Sequence, residues 1–309
     1  MQKLYIIIGL MVVLVGLVFL NYQNTDYTTN PKEATGEEKI IALSTFTIIA
    51  DMVSVVGGDR VDSVSLTKPG VEIHGYEPTP GDLIRASKAA VLFENGMNLE
   101  LWTAKLRTSL PDVPVVRVSD GVEVVYIADG SYKGKPNPHA WMSPRQGLTY
   151  VENIRKALTE ISPEDAAYFQ TNADTYTKEI MTLDQSLKTA LTVLPEEHRY
   201  LVTCEGAFAY LTNDYRLKEI YLWAINDESG GSPQHVAKVI DLVKANKIPA
   251  VFCESTVNSG IQEEVSLASG AKLGGVLYVD SLSGPEGPAS TYLTQLSHTV
   301  ETIISGLTQ

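Results

Sequence analysis

Four residues of this chain carry side chains suited to metal coordination and stand where an α/β fold gathers its ligands. His74 lies in a loop after one predicted strand and His139 in a loop before a predicted helix, while Glu205 and Asp280 directly follow predicted strands. In open α/β sheets, ligands collect beyond the carboxyl ends of the strands. Two imidazoles and two carboxylates form a nitrogen and oxygen donor set for a divalent transition metal. Each residue alone also has a plainer reading. A loop histidine is commonly a surface residue, an aspartate after a strand commonly caps a helix, and a glutamate before a helix complements its dipole. His198, His235 and His298 fall on a loop edge and on helices, and are read as structural or exposed.

The elements that must position these groups alternate between strand and helix, which predicts βαβ units and parallel sheets. Residues 39–161 read as a first α/β lobe and residues 195–309 as a second. Between them, residues 162–194 read as one long helix. Ser162 is a good N-cap, Pro163 suits the first turn, and Glu164 and Asp165 complement the helix dipole. Ala166, Phe169, Ala173, Tyr176, Ile180, Leu183, Leu187, Leu191 and Leu194 recur at steps of three and four, the spacing of one helix face. Such a helix would be roughly 45 Å long, enough to join two lobes. Two candidate ligands precede it and two follow it, so convergence in an interlobe cleft is the expectation.

The composition is 44% hydrophobic and 20% charged, that of an ordinary globular protein, and the net charge is −13. That charge repels nucleic acid and argues against a nucleic-acid role. Lys3 is followed by an uncharged apolar run, Leu4 to Leu20, which reads as a signal peptide or membrane anchor over residues 1–22. With Lys3 inside, the remainder is exported. No small-x-small cleavage site follows Leu20, and no cysteine there offers lipid attachment, so an uncleaved anchor is favoured. Residues 23–38 are polar and read as a flexible tether. The expected location is the periplasm or cell surface, tethered or released. An oxidising exterior permits a Cys204–Cys253 disulfide.

Five stretches surround the four candidates in order: His74-Gly75-Tyr76-Glu77-Pro78, Asn95-Gly96-Met97-Asn98-Leu99-Glu100, Pro138-His139-Ala140-Trp141-Met142-Ser143-Pro144, Val202-Thr203-Cys204-Glu205-Gly206-Ala207-Phe208 and Tyr278-Val279-Asp280-Ser281. Together they resemble the metal-binding solute-binding proteins of ABC transporters that import manganese or zinc, over about residues 39–307. The resemblance implies two α/β lobes, each a parallel sheet flanked by helices, joined by one long rigid helix with the metal between them. It carries ligand roles onto His74, His139, Glu205 and Asp280. It also implies a binding protein without catalytic residues or bound cofactor, which captures an ion and delivers it to a membrane permease, and which is expected to be monomeric. Glu77 and Glu254 are candidates to support the ligating histidines.

Manganese-type members have Glu at the third ligand position, where zinc-type members usually have His. Zinc-type members also carry a His-rich insertion before the second ligand, and Asp120 to Pro138 contains no histidine. Oxygen donors suit Mn²⁺, whereas the Irving–Williams order keeps Zn²⁺ as the alternative. A paired cysteine beside the third ligand resembles the manganese-binding cyanobacterial branch. The alternatives are buried free thiols or a purely structural crosslink. If the bond holds the backbone carrying Glu205, its reduction loosens the site. A metallohydrolase is disfavoured, because four protein ligands fill a tetrahedral site and no His-Glu-x-x-His pattern occurs. A surface adhesin with a structural metal is the remaining rival. A continuous linking helix predicts small local changes on metal release rather than wide lobe opening.

Overall fold

In a computed structural model of the chain, residues 39–225 and 232–308 are described. The expected anchor over 1–22 and the expected tether over 23–38 lie outside them, as do residues 226–231.

The first sheet is built from β1 (Ile40–Ser44), β2 (Val61–Ser65), β3 (Val91–Glu94) and β4 (Val115–Arg117), in the order β2-β1-β3-β4 with every pairing parallel. Helices α1 (Thr47–Gly57), α2 (Pro80–Ala86) and α3 (Thr103–Ser109) connect these strands. β3 reads Val-Leu-Phe-Glu and is buried throughout, as a central parallel strand covered on both faces must be. The second half contains β5 (Tyr200–Glu205), β6 (Lys218–Trp223), β7 (Ala250–Glu254) and β8 (Lys272–Leu277), with helices α6 (Ala209–Tyr215), α7 (Pro233–Ala245) and α8 (Gly260–Ser269). β5 pairs with β6 and β7 with β8, both parallel. β5 and β7 lie side by side and are crosslinked by a Cys204–Cys253 disulfide with a Cα–Cα distance of 5.0 Å.

Two long helices lie between the sheets in sequence. α4 (Pro144–Ile161) starts where Ser143 accepts a hydrogen bond from the Gln146 amide and Pro144 occupies the first turn. α5 is α-helical over Ala166–Ala190 rather than over the whole of 162–194; 3-10 turns at Pro163–Asp165 and Leu191–Val193 extend it. Ser162 makes no backbone cap, because its hydroxyl donates instead to Asp165 Oδ2 at 2.9 Å. The face carrying Phe169, Ala173, Tyr176, Ile180 and Leu187 is buried, as its spacing predicts.

That face does not span open space. α5 packs along α1, α4 and the closing helix α9 (Tyr292–Leu307). Asn172 donates to Val56 O at 3.1 Å near one end, and Tyr215 of α6 donates to Asp184 at 3.0 Å towards the other. α9 in turn bonds to the first half. The Tyr292 amide donates to Asp51 at 2.9 Å and its hydroxyl to Trp141 O at 2.8 Å. Gly147 on α4 makes room for this hydroxyl, since a Cβ there would stand 2.3 Å from it. From Lys39 onward the chain therefore packs as one compact unit.

Candidate metal centre

The His74 loop is pinned before it reaches the site. Trp102 Nε1 donates to Ile73 O at 2.9 Å, and Glu72 accepts from the amides of His74 and Gly75 at 2.6 and 2.8 Å. Beyond it, Tyr76 donates to Asp82 at 2.8 Å, inside a capping box formed with Thr79. His139 follows a hairpin whose arms are joined by the Tyr126 and Pro136 bridge. Asn95 Nδ2 donates to the carbonyl of Pro138 at 3.0 Å, while Glu100 holds the Asn95 amide at 2.6 Å. Thus Asn95 and Glu100 of the second recognised stretch support the backbone at His139.

Glu205 is the last residue of β5 rather than the first position after it. Gly206 follows it because a Cβ would stand 2.9 Å from the Tyr221 ring and 3.1 Å from Ala224 O. Asp280 lies just beyond β8 and is held largely by first-half groups. Trp141 Nε1 donates to Val279 O at 3.0 Å, the Gly70 amide to Ser281 Oγ at 2.7 Å, and the Leu282 amide to Thr47 Oγ1 at 2.9 Å.

The structure brings all four sequence candidates together. One donor atom from each of His74, His139, Glu205 and Asp280 lies within 4.8 Å of the others. His74 Nε2 is 3.2 Å from His139 Nε2 and 3.3 Å from Glu205 Oε1. His139 Nε2 is 3.5 Å from Glu205 Oε1 and 3.6 Å from Asp280 Oδ1. His139, Glu205 and Asp280 are fully buried, and the His74 side chain is 7% exposed. A cavity of about 590 Å³ opens beside His74, lined also by Met97, Leu101, Tyr132, Lys135 and Ile225. The other three histidines stand elsewhere: His235 contacts Tyr221 O, His298 packs on Tyr278, and His198 ends a 3-10 turn.

Buried ionisable groups at this density must share protons. Burial opposes charge on the His74 ring, but Glu205, Asp280 and Glu72 outweigh it and raise its pKa to about 9. Burial lowers that of His139 despite Glu205. Burial disfavours the Glu205 carboxylate, yet the two imidazoles hold its pKa far below the usual range. Asp280 is raised well above its ordinary value, by burial and then by the Glu205 charge. In the metal-free site Glu205 is therefore held ionised and His74 protonated at neutral pH, while burial opposes charge on both His139 and Asp280.

Of the two groups expected to support the ligating histidines, Glu77 is exposed and Glu254 turns to Glu205 instead. Glu254 is buried at the end of β7 and accepts the Glu205 amide at 3.2 Å. Sequence reasoning missed Asn137. Its Oδ1 lies 2.9 Å from His139 Nδ1 and accepts the His139 amide at 3.1 Å. The signal was there, since an Asn two residues before the ligand makes an Asx turn with that residue's N–H.

Comparison with known proteins gives this site its setting. The model of the family "ZnuA: Zinc-uptake complex component A periplasmic" matches residues 43–306. The iron-binding protein YfeA of Yersinia pestis is 48% identical over 280 residues, covering 91% of this chain and 89% of that protein. The manganese-binding lipoprotein MntA of Halalkalibacterium halodurans is 33% identical over 272 residues, covering 88% of this chain and 90% of MntA. The structure of the Mn-bound periplasmic metal binding protein of Candidatus Liberibacter asiaticus is similar with a TM-score of 0.80 at 36% identity, over 87% of this chain and 100% of that one. The chain belongs to the ZnuA family of periplasmic metal-binding proteins, the non-enzymatic substrate-binding components of ABC transporters.

Proposed function

We propose that the chain captures one divalent transition metal ion between His74, His139, Glu205 and Asp280, outside the cytoplasm, and hands it to the permease of an ABC transporter. The observation that carries this reading is the convergence of two imidazoles and two carboxylates, three of them fully buried, beside a cavity. A divalent cation balances the two carboxylates, which removes the cost of burying them. The four donors come from loops and a strand end that the fold holds separately, so the ion itself is their common partner. The N-terminal segment directs export and tethers the monomer in this reading.

Manganese is the favoured cargo on the donor set, because hard oxygen ligands make up half of it and imidazole the rest. Ferrous iron is the second reading, favoured by the 48% identity to a protein named for iron. Zinc binds such a set tightly by the Irving–Williams order, so selection between ions rests on geometry, supply and release. The test is competition titration of the exported chain with Mn²⁺, Fe²⁺ and Zn²⁺ under anaerobic conditions, paired with uptake in cells carrying the transporter. Loss of binding is expected in Glu205→Ala and His139→Ala. Wild-type affinity in both variants refutes the site, and uptake of zinc alone refutes manganese.

A further inference from the structure

Asn137 touches both halves of the metal centre. Towards His139, its Oδ1 takes the main-chain N–H at 3.1 Å and faces ring Nδ1 at 2.9 Å. Towards Glu205, its Nδ2 donates to the carbonyl of the adjacent Gly206 at 2.6 Å. The amide orientation follows from its partners: a carbonyl accepts only, and a main-chain N–H donates only. Asn137 is 2% exposed, so water does not substitute for these bonds. Tyr210 of α6 completes the contact. Its hydroxyl donates to Asn137 O at 2.9 Å and accepts the Val125 amide at 3.2 Å, which roots both arms of the hairpin on the second half.

We infer that Asn137 is a positioning residue that sets the His139 tautomer and, with Tyr210, fastens the His139 hairpin to the Glu205 strand so that metal release requires this fastening to break. With Oδ1 accepting from Nδ1–H, the lone pair of a neutral His139 resides on Nε2, the atom that faces His74, Glu205 and Asp280. The Nδ2 arm acts on a different quantity. It joins the backbone behind His139 to the backbone behind Glu205 and thereby holds two ligands from opposite halves at their mutual distance. This inference rests on the four-residue metal site proposed above.

The two arms separate by substitution. Asn137→Ala removes both. Asn137→Asp keeps an acceptor for Nδ1–H but sets a second carboxylate oxygen against Gly206 O. Tyr210→Phe removes the hairpin bonds and leaves the His139 ring untouched. In the metal-free wild type, nitrogen NMR of ¹⁵N-histidine-labelled protein is expected to show the His139 ring protonated at Nδ1. Asn137→Ala loses that signature and binds Zn²⁺ about 10- to 100-fold more weakly. Asn137→Asp and Tyr210→Phe keep it, but release Zn²⁺ to a chelator faster than wild type.

An Nδ1–H signature and wild-type affinity in Asn137→Ala overturn the tautomer role, and wild-type release rates in Asn137→Asp and Tyr210→Phe overturn the fastening. If Asn137→Ala does not fold by circular dichroism, those two variants decide. A His139→Ala protein that binds Zn²⁺ as tightly as wild type refutes the metal site itself, a result distinct from any of these.

Discussion

Metal binding at this site should expel protons, because the ion must displace those held by its buried ligands. Without the ion, the buried Glu205 carboxylate is balanced by the His74 imidazolium, whose pKa is raised to about 9. His74 Nε2 stands 3.2 Å from His139 Nε2 and 3.3 Å from Glu205 Oε1, so its proton occupies the space that the metal takes. A ligating imidazole must be neutral, so loading at pH 7 displaces that proton. Raising the pH removes the competing proton, so affinity rises up to about pH 9 and levels off beyond it. One displaced proton corresponds to about 1.4 kcal/mol, or a tenfold change in affinity, per pH unit. Asp280, whose pKa is also raised, steepens the dependence wherever its carboxyl is still protonated.

The assay is calorimetric titration with Mn²⁺ at pH 7 in buffers of different ionisation enthalpy, which reports the protons released per ion. At least one proton at pH 7, and at least about a tenfold gain in affinity from pH 7 to 8, are expected. Glu205→Gln removes the carboxylate that keeps His74 protonated, so it should release fewer protons as well as bind more weakly. No proton release together with constant affinity between pH 6 and 8 would refute the reasoning.

The remaining predictions concern the frame around the site. The Cys204–Cys253 bond closes a sequence separation of 49 residues, so Cys204→Ser/Cys253→Ser should lose about 4 kcal/mol on the chain-entropy argument. Thermal denaturation with and without reductant measures that loss. We further expect reduction to weaken metal binding, because Glu205 follows Cys204 directly; equal affinity in both redox states would reject that link. Gly147→Ala should destabilise by about 1–3 kcal/mol, because its methyl meets the Tyr292 hydroxyl at 2.3 Å, as denaturant unfolding would show. Small-angle scattering of metal-free and Mn²⁺-loaded protein should give nearly the same radius of gyration, because the Asp280 segment is bonded to Thr47, Gly70 and Trp141. A wide opening on metal removal would contradict this.

Much of the architecture was legible because it depends on local pattern. The steps of three and four from Phe169 to Leu187 place one stripe towards a core in whatever fold contains them. Ala250 to Cys253 and Val91 to Phe93 are short apolar runs between turn residues, as buried parallel strands are. The ends were less legible, because capping is a competition between partners. Ser162 has the right side chain for an N-cap and spends it on Asp165. The linking helix also reads as an isolated strut when taken alone. Its contacts with α1, α4 and α9 join residues far apart in the chain, so no local window contains them.

The same division holds for the candidate site. The sequence alone determined the donor types and their places after strands and in loops, since those follow from residue identity and local periodicity. From them came His74, His139, Glu205 and Asp280 and the expectation of a divalent ion. Tertiary structure decided what surrounds them. It set Glu254 behind the Glu205 amide and left Glu77 in solvent. It bonded the Asp280 segment to first-half residues more than a hundred positions away, and turned Asn137 from a loop amide into a bridge between His139 and Gly206. The physical reason is range. Propensity and periodicity act over a few residues, whereas burial, proton sharing and amide orientation are fixed by whichever distant groups the fold brings within hydrogen-bonding distance.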